Sequence, residues 1–209
     1  MDDVKEMAIT DEDGKLLVEL ARKSIEEYVR KKTKYLIPKD LSERFSEKMG
    51  VFVTINLIKG KEKTLRGCIG YPLPLLPLAE AVVEAAVSSS TDDPRFNPIR
   101  KDELNEVLIE VSVLTPPKLI EVNTPMEYPQ KIKISEDGLI LEWRLGSGLL
   151  LPQVPVELNW DVNEYLENLC LKAGITPDYW LRKDVKIYKF QAMVWEEKSR
   201  REIVRKRLQ

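Results

Sequence analysis

Apolar residues recur every three or four positions near the start of the chain, which is the period of an amphipathic helix. The stripe comprises Leu16, Leu17, Leu20, Ile25, Tyr28 and Val29. Thr10 and Asp13 precede it at the spacing of a capping box, with Asp in place of the longer Glu. The pattern predicts a first helix that begins after Thr10 and runs to about Lys32.

The next apolar segment alternates with a period of two, which is typical of a strand with one buried face. In VFVTINLI (51–58), every second residue is Val, Ile or Leu, beginning at Val51. The polar residues KGKEK separate this segment from TLRGCIG (64–70). The two segments therefore predict a β-hairpin.

Three further segments extend the same domain. Pro77 suits the first turn of a helix that ends near SSSTDDP (88–94). EVLIEVSVLTPP (106–117) is a strand that ends at its two prolines. VKIYKFQAMVWEE (185–197) alternates like the hairpin strands, so we place it in the same sheet and expect a short basic helix after it.

The pattern changes from about Asn123, where short apolar segments are separated by glycines and prolines. Three of them predict a small antiparallel sheet: KIKI (131–134), GLILEW (138–143) and GLLLP (148–152). Asp161 and Glu164 form a second capping box, and Gly174 suits the left-handed position that follows the helix.

These elements predict an α+β fold with two subdomains, each an antiparallel sheet flanked by helices, and an interdomain cleft. The larger subdomain comprises residues 1–122 and 183–209, and the smaller one, residues 123–182, is inserted between them.

Composition narrows the classes of partner. The net charge of −2 gives no overall attraction to nucleic acid or to an anionic membrane, and no basic and aromatic residues interleave as in a base-stacking surface. The chain shows neither a leader peptide nor an apolar run long enough to span a bilayer. We therefore expect a cytoplasmic protein that binds neither nucleic acid nor membrane. The abundance of Glu and Lys is typical of heat-adapted proteins.

The chain contains no histidine, which removes the usual general base and the commonest transition-metal ligand. We accordingly expect no metal and no cofactor. The two cysteines, Cys68 and Cys170, do not form the dense disulfide framework of a small secreted domain, so we expect reduced thiols.

The stretch TLRGCIGYP (64–72) carries the strongest candidate chemistry. Strand alternation places Arg66 and Cys68 on one face, and a guanidinium beside a thiol stabilises the thiolate and lowers the thiol pKa. Gly67 and Gly70 allow close approach of other backbone. The alternative is that Cys68 is a small buried hydrophobe and the glycines relieve crowding.

A second polar cluster lies in SSSTDDPRFNP (88–98). Asp92, Asp93 and Arg95 are candidates for orienting a substrate, and the two adjacent carboxylates are candidates for sharing a proton or holding a hard cation. The alternative is a helix exit in which the Asp side chains satisfy turn amides. Glu110, in the strand that follows, is a candidate partner for Arg66 if their strands are neighbours.

The hexapeptide LRGCIG resembles the motif of the AMMECR domain family, in its prokaryotic type. The similarity continues in order through DPRFNP, VSVL, GLLLPQV and LCLKAG, from about residue 10 to 196. The resemblance implies a two-subdomain α+β fold whose hexapeptide faces the groove between the subdomains. It also implies that the motif residues are the functional candidates: Leu65, Arg66, Gly67, Cys68, Ile69 and Gly70.

Prokaryotic domains of this family are associated with a Memo-like protein and a radical-SAM protein, so the resemblance implies a protein partner. We favour a binding module that holds a protein or other sizeable ligand in the cleft, because no complete catalytic constellation can be assembled. The alternative is an enzyme, or an enzyme subunit, that modifies a macromolecule. In it, Cys68 is nucleophile or redox thiol, Arg66 stabilises an anion, and Asp92, Asp93 or Glu110 handles protons.

Overall fold

A computed structural model describes residues 9–60, 62–200 and 202–206 of the chain. The helices in these residues are α1 (Asp11–Lys31), α2 (Lys39–Arg44), α3 (Leu78–Thr91), α4 (Tyr128–Lys131), α5 (Gln153–Glu157) and α6 (Val162–Lys172). The strands are β1 (Gly50–Lys59), β2 (Glu62–Tyr71), β3 (Val107–Leu114), β4 (Lys118–Leu119), β5 (Gly138–Trp143), β6 (Gly146–Leu150), β7 (Lys186–Phe190), β8 (Ala192–Ser199) and β9 (Glu202–Lys206).

The chain divides into two compact units, each with its own sheet. The described part of the first unit is residues 9–60, 62–113, 193–200 and 202–206, and its sheet has the order β2-β1-β3-β8-β9. The second unit is residues 114–192, with the order β4-β7-β5-β6. The α+β class with two antiparallel sheets flanked by helices is thus confirmed, while the cleft expected between the units stays a prediction.

The core of the first unit lies between its sheet and the helices α1 and α3. On β1, Val51, Val53 and Ile55 are fully buried, as the alternation predicts. The capping box of Thr10 and Asp13 is present at the start of α1, and Lys32 ends the helix in the left-handed conformation with φ 60°. The first helix and the β-hairpin formed by β1 and β2 therefore lie where the pattern predicts them.

The second unit is built around α6. Asp161 and Glu164 form the expected capping box, and Gly174 adopts a positive φ of 76° beyond the end of the helix. The fully buried Tyr165 places its hydroxyl 3.1 Å from the Leu150 carbonyl oxygen. Burial raises the pKa of Tyr165, so this hydroxyl stays protonated and donates to the backbone.

Two predictions about strands are wrong. The segment KIKI (131–134) is not a strand: Lys131 ends α4, which continues a turn that begins at the capping box of Thr124 and Glu127.

The segment 185–197 is not one strand of the first sheet, because it breaks at Gln191. The Gln191 carbonyl accepts from the Thr115 amide at 2.9 Å, and the Gln191 amide donates to the Thr115 hydroxyl at 2.8 Å. β7 consequently belongs to the second sheet and β8 to the first.

The basic segment near the end of the chain was expected to be a helix, and this prediction is wrong as well. Residues 202–206 form β9, which pairs with β8 at the edge of the first sheet. Arg205 lies over the ring of Trp195 at 5.7 Å, which is a cation–π contact between two residues paired in the register of β8 and β9. None of the described helices is both long and apolar enough to cross a membrane.

Candidate functional site

The LRGCIG segment lies on β2, an edge strand that pairs with β1 alone in its sheet. Cys68 is opposite Thr54 and Leu65 is opposite Asn56, while a β-bulge leaves Arg66 as an extra residue without a partner on β1. Thr54 and Asn56 are two residues apart on β1, so their side chains lie on the same face of the sheet. Their partners Cys68 and Leu65 therefore share that face as a result of the bulge. Regular alternation predicts Arg66 there instead.

Arg66 joins β2 to the segment that follows α3. Its Nε donates to Glu103 Oε1 at 2.9 Å, its Nη2 to Glu103 Oε2 at 3.1 Å, and its Nη1 to the Asn97 carbonyl at 2.8 Å. Burial opposes ionisation of Glu103, but the hydrogen bonds from Arg66 and the Arg100 amide outweigh it and lower the pKa of that carboxyl. The sequence predicts a pairing of Arg66 with Glu110 only if their strands are neighbours. β1 lies between β2 and β3, so this condition is not met, and Arg66 pairs with Glu103 instead.

Cys68 is half-buried, and the Thr54 hydroxyl lies 3.3 Å from its Sγ. Burial raises the pKa of the Cys68 thiol; the Thr54 hydrogen bond and the charge of Arg95 act in the opposite direction but are weaker. The cation that acts on the thiol is thus Arg95 and not Arg66. The expectation that Arg66 lowers this pKa is wrong, and the thiol is protonated at neutral pH.

Asp93 is only 4% exposed and accepts the backbone N–H of Cys68 at 2.8 Å. It also accepts Arg95 Nε at 2.9 Å and Nη2 at 2.7 Å. The hydrogen bonds from Arg95 hold the pKa of Asp93 far below its usual range, against the effect of burial. Arg95 Nη2 lies 3.4 Å from the Cys68 carbonyl oxygen, so the pair caps both backbone groups of Cys68 at the sheet edge.

The glycines of the motif allow close packing. A Cβ on Gly67 would lie 2.1 Å from the Ser89 carbonyl oxygen, and one on Gly70 would lie 2.4 Å from the Phe52 ring. Sequence reasoning did not single out Ser89, whose hydroxyl accepts from the Ile69 amide and donates to the Val53 carbonyl at 2.8 and 2.7 Å. The signal for it was a serine run ending a helix beside a glycine-containing strand.

The two remaining candidates lie apart from this cluster of contacts. Asp92 is exposed and ends α3, where its amide donates to the Ser88 carbonyl. Glu110 is buried on β3, separated from β2 by β1, and its Oε2 lies 2.9 Å from Lys206 Nζ. Its negative charge contributes to the raised pKa of Cys68.

Apolar side chains at and after the motif are accessible, and the Arg95 side chain is half-exposed although it is bound to Asp93. Leu65 is 40% exposed, and Leu73 and Leu75, in the segment after β2, are 48% and 67% exposed. The carboxylates and guanidinium groups closest to Cys68 bond to one another or to backbone. Within the described ranges, no three His, Cys, Asp or Glu side chains are grouped as metal ligands.

The model of the AMMECR1 family matches residues 18–195. The chain belongs to the AMMECR1 family. Among AMMECR1-like relatives, protein PYRAB00100 of Pyrococcus abyssi is 51% identical over 200 residues, which are 95% of this chain and 97% of that protein. Protein MJ0810 of Methanocaldococcus jannaschii is 51% identical over 201 residues, 96% of this chain and 98% of that one.

The AMMECR1 match extends to three dimensions. The crystal structure of the uncharacterized protein PH0010 from Pyrococcus horikoshii has a TM-score of 0.86 and 51% sequence identity, covering 95% of this chain and 98% of that one. The family resemblance inferred from LRGCIG is thus confirmed.

Proposed function

We propose that this AMMECR1-family chain is a binding protein whose LRGCIG strand and following segment hold a partner protein or another sizeable ligand. One observation carries the proposal: the charged groups around the motif bond to each other and to backbone, whereas Leu65, Leu73 and Leu75 remain exposed. A surface of this kind recognises its partner by apolar burial, within a rigid polar frame.

The dimensions suit a macromolecular partner. At about 3.3 Å per residue, the strand from Leu65 to Tyr71 is about 20 Å long. This length is comparable to the width of a standard protein interface, which buries about 800 Å² on each partner. Burying a fully exposed leucine contributes about 1.5–3 kcal/mol. Leu65, Leu73 and Leu75 are 40%, 48% and 67% exposed, so burying the rest of all three contributes about 2–5 kcal/mol in total.

The state of the thiol favours binding over catalysis. A nucleophilic cysteine needs a lowered pKa, but burial raises the pKa of Cys68. The bidentate bond of Arg66 to Glu103 occupies the guanidinium that an anionic intermediate would require. We propose a protein as the partner, and the Memo-like and radical-SAM proteins implied by the family resemblance are the first to be tested.

The test is a binding measurement with those two proteins from the same source. Leu65→Glu and the double variant Leu73→Glu/Leu75→Glu should each weaken binding by at least about tenfold, whereas Cys68→Ser should bind like the wild type. Leu158→Glu is the matched control, since Leu158 is 54% exposed and lies in the second unit. Loss of binding in Cys68→Ser, with retention in the leucine variants, would overturn the proposal in favour of thiol chemistry.

A further inference from the structure

The second unit contains a crevice of about 370 Å³ that is lined by both apolar and charged residues. Ile120, Tyr128 and Val185 are core residues at its floor, and Val122 adds a half-buried side chain. The volume is in the range of small-molecule sites, which combine an apolar lining with a few polar groups. All the lining residues belong to the second unit, whereas the LRGCIG strand belongs to the first.

Both walls of the crevice are held in place by local hydrogen bonds. On one side, Glu127 accepts the Asn123 amide at 3.2 Å and the Thr124 amide at 3.1 Å. On the other, Arg182 forms a bidentate pair with Asp184 at 2.9 and 3.2 Å and lies 4.6 Å from the Tyr179 ring centroid. A crevice with such walls loses little conformational entropy when a ligand binds.

The rim of the crevice carries two lysines whose charges are not neutralised. Lys183 and Lys186 both line it, and neither forms an ion pair or side-chain hydrogen bond with any residue that the structure describes. Asp184 already neutralises Arg182. Glu142 lies opposite Lys186 in the register of β5 and β7, but it is hydrogen-bonded with Tyr188.

We propose that this crevice binds a small amphipathic carboxylate. The carboxylate pairs with Lys183 and Lys186, and the apolar body lies on the floor formed by Ile120, Tyr128 and Val185. Glu121 also lines the crevice, and its charge repels a phosphate dianion more strongly than a carboxylate, which is the reason for choosing a monoanion. The proposal does not depend on the function of the LRGCIG strand.

The test is calorimetric titration of the intact chain with octanoate, below its critical micelle concentration. We expect saturable binding at one site per chain, weakened by at least about tenfold in Lys183→Glu/Lys186→Glu. Lys133→Glu/Lys172→Glu makes the same change in net charge on exposed lysines outside the crevice and should bind like the wild type.

Two comparisons separate the contribution of the ligand's carboxylate from that of its apolar body. Octanol, which lacks the charge, and acetate, which lacks the apolar body, should each bind at least about tenfold more weakly than octanoate. Octanoate binding that does not saturate, or that is equally strong in Lys183→Glu/Lys186→Glu, would overturn the proposal. Acetate binding as tight as that of octanoate would overturn the role of the floor.

Discussion

Gly67→Ala tests the close packing of β2 against α3. The new Cβ would lie 2.1 Å from the Ser89 carbonyl oxygen and 3.2 Å from its carbonyl carbon. Both are main-chain atoms, so no change of rotamer relieves the overlap. To bring the oxygen to ordinary contact at about 3.4 Å, strand and helix must separate locally by about 1.3 Å.

That separation acts on two further interactions. The Ser89 hydroxyl bonds to the Ile69 amide at 2.8 Å and to the Val53 carbonyl at 2.7 Å, and a shift of this size breaks or lengthens both. Overpacking costs about 1–3 kcal/mol, and each of the two weakened hydrogen bonds about 0.5 kcal/mol. We therefore expect the free energy of unfolding to fall by about 2–4 kcal/mol.

The assay is urea and thermal unfolding followed by circular dichroism. For a chain of this size, about 2–4 °C of Tm corresponds to 1 kcal/mol, so Tm should fall by about 4–16 °C. Gly146→Ala is the control, because its nearest neighbour is Trp143 Nε1 at 3.4 Å, an ordinary contact. A Gly67→Ala variant within about 0.5 kcal/mol of the wild type would refute the packing argument.

Three further predictions concern the polar groups of the motif. In a Cys170→Ala background, the pH dependence of Cys68 alkylation should show an apparent pKa above about 8.5, the value for a free thiol, because burial raises the pKa of Cys68. Fast alkylation at neutral pH would contradict this expectation. Asp93→Asn should cost about 1–3 kcal/mol above pH 4, because a buried acceptor of charge-assisted hydrogen bonds is lost. The fold lowers the pKa of Asp93, so its contribution is complete above the unfolded value of about 3.9 and declines as pH falls, and denaturation curves of the two proteins should converge in acid. Arg66→Lys cannot form the bidentate pair with Glu103 and should lower the free energy of unfolding by about 1–2 kcal/mol; an unchanged urea midpoint would show that the pair adds no stability.

The sequence was sufficient to predict the elements whose ends and turns depend on residues close together in the chain. The capping boxes at Thr10 and Asp161 involve residues three positions apart, so their effect is independent of the rest of the fold. The β-hairpin formed by β1 and β2 joins two alternating segments through a short polar turn, and it too forms by short-range contacts. The family match likewise depends on motif order alone.

The alternation of apolar and polar residues could not show to which of the two sheets a strand belongs. β7 and β8 continue one alternating pattern, but their partners lie far away in sequence, and the break at Gln191 depends on hydrogen bonds to Thr115. The helix predicted near β9 is wrong for the same reason: these five residues, two of them basic, form a strand because β8 offers an open edge.

The sequence by itself determined which residues form the motif and which glycines close packing requires, but not the bulge that interrupts the alternation of β2. Only the tertiary structure decided which charged groups lie next to one another. The bulge at Arg66 displaces its side chain toward Glu103, 37 residues away, and the loop after α3 brings Asp93 and Arg95 to Cys68 instead. A pKa depends on burial and on charges within a few ångströms, and these distances are set by the packing of segments that the chain separates widely.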